Sequence, residues 1–177
     1  MTRIQKNNTS RIKLKKGDFF LSRNPMMLGR VINLNQKFWS KDNKSKYSHA
    51  GIILDEYGTT LESLWTVKSQ NLFEGYKDTE ILIARHDQMN VETFKKGYDG
   101  IKHHIGQWYP GYRLPLMIFP PLAKYIHFGR VVCSELDYKF GTKAGLFNHK
   151  WYGKTPDDVH DMIKYERDWN IIFEGKV

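Results

Sequence analysis

Cysteine is nearly absent from this chain: Cys133 is the only one in 177 residues. That excludes an internal disulfide, and with it the stapled, loop-rich folds of small secreted domains. It also removes metal sites built on cysteine pairs. The histidines do not replace them, because no His-x-x-x-His or paired-acid motif accompanies the adjacent His103 and His104. No metal and no cofactor is expected. Long apolar runs are missing as well. The most apolar stretch, Leu114 to Leu122, is short and carries three prolines, whereas a bilayer span needs about 20 apolar residues. The first sixteen residues contain no acid and no apolar core of a signal peptide. The expectation is a chain without an export signal, cytoplasmic or delivered by a phage particle or secretion machine. Repeats, low-complexity tracts and dividing linkers are absent too.

What is present is globular. The chain is 40% apolar and 14% aromatic, enough for one sizeable core. We read residues 1–16 as a basic arm and 17–177 as a single domain. The formal net charge is +9, from 28 Lys and Arg against 19 Asp and Glu. Such a balance favours anionic surroundings such as cell-wall polymers or phospholipid headgroups. The arm, with Arg3, Lys6, Arg11, Lys13, Lys15 and Lys16, is the segment expected to meet such a surface. No motif for specific nucleic-acid recognition accompanies it.

Patterning predicts strands at Phe19–Ser22, Ser48–Leu54, Thr59–Trp65, Thr79–Arg85 and Asp168–Glu174, with Asp55-Glu-Tyr-Gly58 turning a hairpin. Helical spacing covers Leu28–Trp39 and Val91–Ile105, the latter with Asn90 as cap. A further helix is expected over Val131–Phe140, closed by Gly141. Thr155-Pro-Asp-Asp158 is a helix start, with a cap, a first-turn proline and first-turn acids. A short helix or turn fits Leu72–Tyr76, and a loop fits Gly106–Pro121. Strands cluster rather than alternate with helices, so the fold class is α+β.

Cys133 opens the helix in Arg130-Val-Val-Cys-Ser-Glu-Leu136. It is either a small buried hydrophobe or a thiol with a chemical role. A helix N-terminus lowers a thiol pKa and offers unpaired N–H groups to a developing oxyanion. A thiol nucleophile also needs a base, and the base an orienting partner. His49, on a strand beside the small Ala50 and Gly51, is the candidate base. Glu62, on the next strand, falls near His49 if the hairpin turns at Tyr57-Gly58, within cross-strand reach of the imidazole.

Taken in order, Gly17-Asp-Phe-Phe20, Tyr47-Ser-His-Ala-Gly-Ile52, Leu61-Glu-Ser63 and Val132-Cys-Ser-Glu-Leu136 resemble the permuted papain-like amidases of the YiiX type. These group with the NlpC-type cell-wall peptidases and the lecithin retinol acyltransferase-like proteins. Gly106-Gln-Trp-Tyr-Pro-Gly-Tyr112 and Thr155-Pro-Asp-Asp158 extend the resemblance, which spans about residues 17 to 163. It implies a papain-like, circularly permuted NlpC-type fold: an antiparallel sheet or partial barrel with the nucleophile helix packed against it. It implies Cys133 as nucleophile, His49 as base and Glu62 as the orienting residue. Val132 stands where many relatives carry an aromatic residue. The Cys133 N–H, with Tyr47, Tyr112 or Ser134, is then left to bind substrate or oxyanion. The implied activity is amide cleavage in cell-wall peptides. The alternatives are thiol acyl transfer or ester cleavage on a lipid substrate, and a non-catalytic binding module with the same fold.

Overall fold

Alternation of side chains across a pleated strand decides the architecture. The computed structural model describes residues 12–23, 46–108 and 131–177. Six strands, β1 (Phe19–Ser22), β2 (His49–Ile53), β3 (Thr59–Ser63), β4 (Val67–Asn71), β5 (Glu80–His86) and β6 (Trp169–Lys176), form one sheet in the order β4-β3-β2-β1-β5-β6. Every pairing is antiparallel. On one face Phe19, Leu21, Ala50, Ile52, Leu61, Leu82 and Ala84 join the main core. On the other, Phe20, Ile53, Ile81 and Ile83 form a second cluster with Leu14, Leu72 and Tyr76. Burial on both faces explains why β1 is apolar without a polar alternate until Ser22. Truncating Phe19, fully buried between Phe140 and Trp169, is the kind of change that costs about 3–5 kcal/mol.

Among the described residues four helices accompany the sheet: α1 (Leu72–Gly75), α2 (Val91–Ile101), α3 (Cys133–Ala144) and α4 (Pro156–Tyr165). Helices α2 and α4 pack on α3, and α3 packs on β2 and β3. The hairpin turn is where the sequence put it. Asp55 Oδ1 accepts from the N–H groups of Tyr57 and Thr59 at 2.9 Å each, and Gly58 takes φ +85°. Asn90 and Thr93 cap α2 reciprocally, and Thr155 and Asp158 do the same for α4.

Three expectations shift. Helix α2 stops at Ile101 and gives way to a 3₁₀ turn, Lys102–His104. The backbone of Gly106 and Gln107 then pairs with Val67 instead of continuing the helix. Helix α3 runs through Gly141 to Ala144 and is closed by Gly145 at φ +77°. Gly141 serves packing instead: a Cβ there would lie 2.1 Å from the Phe147 ring. Strand β4 was not foreseen. It is a sheet edge, Val-Lys-Ser-Gln-Asn, with one fully buried side chain, so it shows no alternating apolar signal. The helix expected over Leu28–Trp39, most of the basic arm and Tyr112 lie outside the described residues. Among the described residues no helix is long and apolar enough to cross a membrane.

Candidate active site

Strands β2 and β3 are paired only at Ile52–Leu61 and Ile53–Thr60. Beyond that the start of α3 is held at both. Ser63 on β3 donates its hydroxyl to the Val131 carbonyl at 3.0 Å. The Ala50 backbone on β2 acts on the Cys133 sulfur and favours its ionised form. The helix N-terminus is thus hydrogen-bonded to β3 just before Cys133 and packs on β2.

Continuing the β2–β3 register sets Glu62 beside Gly51, not beside His49. Side chains two apart on a strand share a face, so Glu62 still reaches His49 along the diagonal. Gly51 makes this approach possible. A Cβ there would stand 2.9 Å from Glu62 Cγ and 2.6 Å from the Phe20 ring. Across the empty position His49 Nε2 donates to Glu62 Oε2 at 2.7 Å. That leaves Nδ1 as the ring nitrogen available to the Cys133 sulfur, which acts electrostatically on the imidazole. Tyr76 stacks on the imidazole at 6.0 Å between ring centroids.

Glu62 is fully buried and also accepts the hydroxyls of Thr60 and Tyr76. Burial alone would raise its pKa. The donors, His49 foremost, more than offset that and hold it below the usual carboxylate value. Burial likewise would strip the proton from His49, but the Cys133 sulfur and then Glu62 reverse this and lift its pKa to about 10. For Cys133 burial opposes ionisation. The His49 charge, the His49 hydrogen bond and the N–H groups of Ala50 and Ser134 win, and the thiol is lowered. Chemically the arrangement favours proton transfer from the thiol to the imidazole, backed by a carboxylate.

The structure therefore brings together Cys133, His49 and Glu62. It directs two other candidates elsewhere. The Tyr47 hydroxyl donates to Glu174 on β6 at 3.0 Å, and its ring packs on His160 of α4. The Ser134 hydroxyl donates to the Lys154 carbonyl at 2.7 Å. Neither hydroxyl donates toward Cys133 in this structure. Ser134 contributes through its backbone N–H. Four contributors went unnoticed in the sequence. Thr60 was legible in principle, since Thr-x-Glu in a strand places both on one face. Tyr76 and Ser63 carry no local signal. Glu135 clamps the helix start: Oε2 accepts the Val132 N–H at 3.2 Å and Oε1 the Gly153 N–H at 2.6 Å.

No family model matches the chain, and no curated protein matches it. Solved structures do match; among them is one described as the metalloprotein yiiX from Escherichia coli O157:H7. The match covers 93% of this chain and 88% of that one at 18% identity, with a TM-score of 0.59. The mixed α and β architecture, a six-stranded antiparallel sheet with the Cys133 helix packed on it, is a YiiX-like fold.

Proposed function

We propose that this chain is a cysteine hydrolase that cleaves an amide bond, of the peptide type found in bacterial cell walls. The observation that carries the reading is the buried relay Cys133–His49–Glu62, with the imidazole fixed at 2.7 Å from the carboxylate. Deprotonated Cys133 attacks the carbonyl carbon, and the S–C bond forms as the C=O electrons move to oxygen. The Cys133 N–H at the start of α3 is the donor offered to that oxyanion. The intermediate collapses, the C–N bond breaks, and His49 gives its proton to the leaving amine. Neutral His49 then draws a proton from water, which attacks the thioester and frees the acid. Glu62 supports the imidazolium and fixes its tautomer throughout.

The neighbour yiiX is described as a metalloprotein. Among the described residues of this chain no group of three or more His, Cys, Asp or Glu side chains is placed to hold a metal ion. No step is routed through one. A second reading, thiol acyl transfer or ester cleavage on a lipid, is favoured by the net charge of +9, which suits anionic headgroups. A binding module that holds an anionic ligand at the same site is the reading that needs no chemistry.

Mass spectrometry after incubation with peptidoglycan fragments or with phospholipids separates the three. A peptide-derived adduct on Cys133, lost in Cys133→Ser together with turnover, supports the amidase. A fatty-acyl adduct replaces it with the lipid reading. No adduct from either, with Cys133 inert to iodoacetamide in the folded protein, defeats both.

A further inference from the structure

Asp137 has no part in the mechanism above, yet it lies beside it. It follows Cys133 by one turn of α3, and residues four apart share a helix face. Its side chain is fully buried. Both carboxyl oxygens lie in the interior with no hydrogen-bond partner among the described residues. Asp18 shows the contrast. It is equally buried, but Arg85 meets its two oxygens at 2.7 and 2.8 Å. A buried charge is normally paired in this way, and Asp137 is not. The groups acting on it are Cys133 from its own helix, His49 from β2 and Glu62 from β3, with Tyr138 next to it. Burial first, and then the Cys133 charge, push its carboxyl well above the ordinary range, with His49 pulling the other way.

We infer that Asp137 is a positioning residue of this site that works as a neutral carboxylic acid. It keeps its proton so that the free negative charge falls on the Cys133 sulfur, and the charge on Cys133 in turn governs when Asp137 can ionise. The inference rests on the reading of Cys133 as an ionised nucleophile. Such coupling is reciprocal. Acylation turns the thiolate into a neutral thioester while His49 gives its proton to the leaving amine, so Asp137 loses the larger Cys133 repulsion together with the smaller His49 attraction. Its proton affinity falls in the acyl-enzyme and rises again when water releases the acyl group and the thiolate returns.

The test compares the unaltered protein with Asp137→Asn by denaturant unfolding across pH, and repeats the pair in a Cys133→Ser background. A folded-state pKa raised above the unfolded value of 3.8 means that the folded state holds a proton the unfolded chain releases. The unaltered protein then loses stability relative to the Asn variant as pH rises above 3.8. The unfolding equilibria diverge by up to about tenfold per pH unit until folded Asp137 itself titrates. In the Cys133→Ser background the divergence is expected to end at lower pH, because the sulfur's charge is gone. Parallel curves overturn the neutral acid. A divergence that ends at the same pH in both backgrounds overturns the coupling. If Asp137→Asn does not fold, the infrared C=O stretch of a protonated carboxyl, followed in the unaltered and Cys133→Ser proteins, reads the same titration. No such stretch at neutral pH, or one whose titration is unmoved by Cys133→Ser, overturns the proposal. Fast alkylation of Cys133 without peptide turnover would count against the amidase reading and leave this inference standing.

Discussion

His49 is asked to carry a proton where burial alone would remove it. Two neighbours make the difference: the sulfur of Cys133, then the carboxylate of Glu62. With Cys133 lowered and His49 raised to about 10, the ion pair exists between the two values. The rate of iodoacetamide alkylation should therefore rise with a midpoint below the roughly 8.5 of a free thiol, and Cys133 should be reactive at neutral pH. A midpoint at or above that of a free thiol would show that no such pair forms. Glu62→Gln keeps one acceptor oxygen, for either Thr60 or the His49–Tyr76 side, and removes the charge behind the imidazole. His49 then holds its proton less tightly, so Cys133 must ionise with less help. We predict a midpoint about one pH unit higher and alkylation at pH 7 slower by about tenfold, with folding retained. Cys133, His49 and Glu62 were legible because each sits in a short motif whose local structure the sequence sets. Tyr76 and Ser63 were not, since nothing near them in the chain announces that they meet Glu62 and Val131 across the fold.

At the scale of elements, the site depends on how two strands and one helix approach one another, and two glycines report on it differently. Gly51 leaves the slot through which Glu62 crosses to His49. Gly51→Ala puts a methyl group 2.9 Å from Glu62 Cγ and 2.6 Å from the Phe20 ring. Both are packed side chains within the sheet, so the expected result is displacement of Glu62, slower alkylation at neutral pH, and a loss of about 1–3 kcal/mol. Gly141 lies two turns past Cys133, where a methyl group would meet Phe147 at 2.1 Å. Gly141→Ala should cost a similar amount in denaturant unfolding while the thiol keeps its pH midpoint. Equal effects of the two on reactivity would mean that the diagonal reach over Gly51 does not matter. The hairpin that carries His49 and Glu62 was legible from its turn, but its register was not. The difference between Glu62 facing His49 and facing Gly51 is a shift of two residues, which keeps the same face inward and leaves the alternation pattern unchanged. Strand β4 escaped for the opposite reason: as a polar edge it has no pattern to read.

At the scale of the whole molecule, an α+β sheet with helices packed on it was legible, because clustered strands and helical stretches with clear start or stop signals admit few packings, whereas the second cluster on the other face was not. Charge works on a longer range than any of these contacts. Described acids and bases are extensively paired, as in Lys46 with Glu80 and Glu174 and Arg85 with Asp18, and the chain retains a net +9. Six of its bases fall in the first sixteen residues with no acid among them. If that excess recruits an anionic surface, attachment must weaken as the screening length contracts from about 10 Å at 0.1 M salt to about 3 Å at 1 M. We predict that co-sedimentation with isolated cell walls, or with vesicles containing anionic lipid, falls steeply over that range. Replacing Arg3, Lys6 and Arg11 with Gln should shift the fall to lower salt. Turnover of a small soluble substrate should be unchanged in the triple variant, since the chemistry rests on Cys133 and the two strands that hold it. Cell walls retained more strongly than anionic vesicles at equal salt would favour the peptide substrate. Attachment that ignores salt, or a triple variant that binds as well as the original, would remove electrostatic recruitment from the account and leave the buried relay to act on whatever substrate diffuses to it.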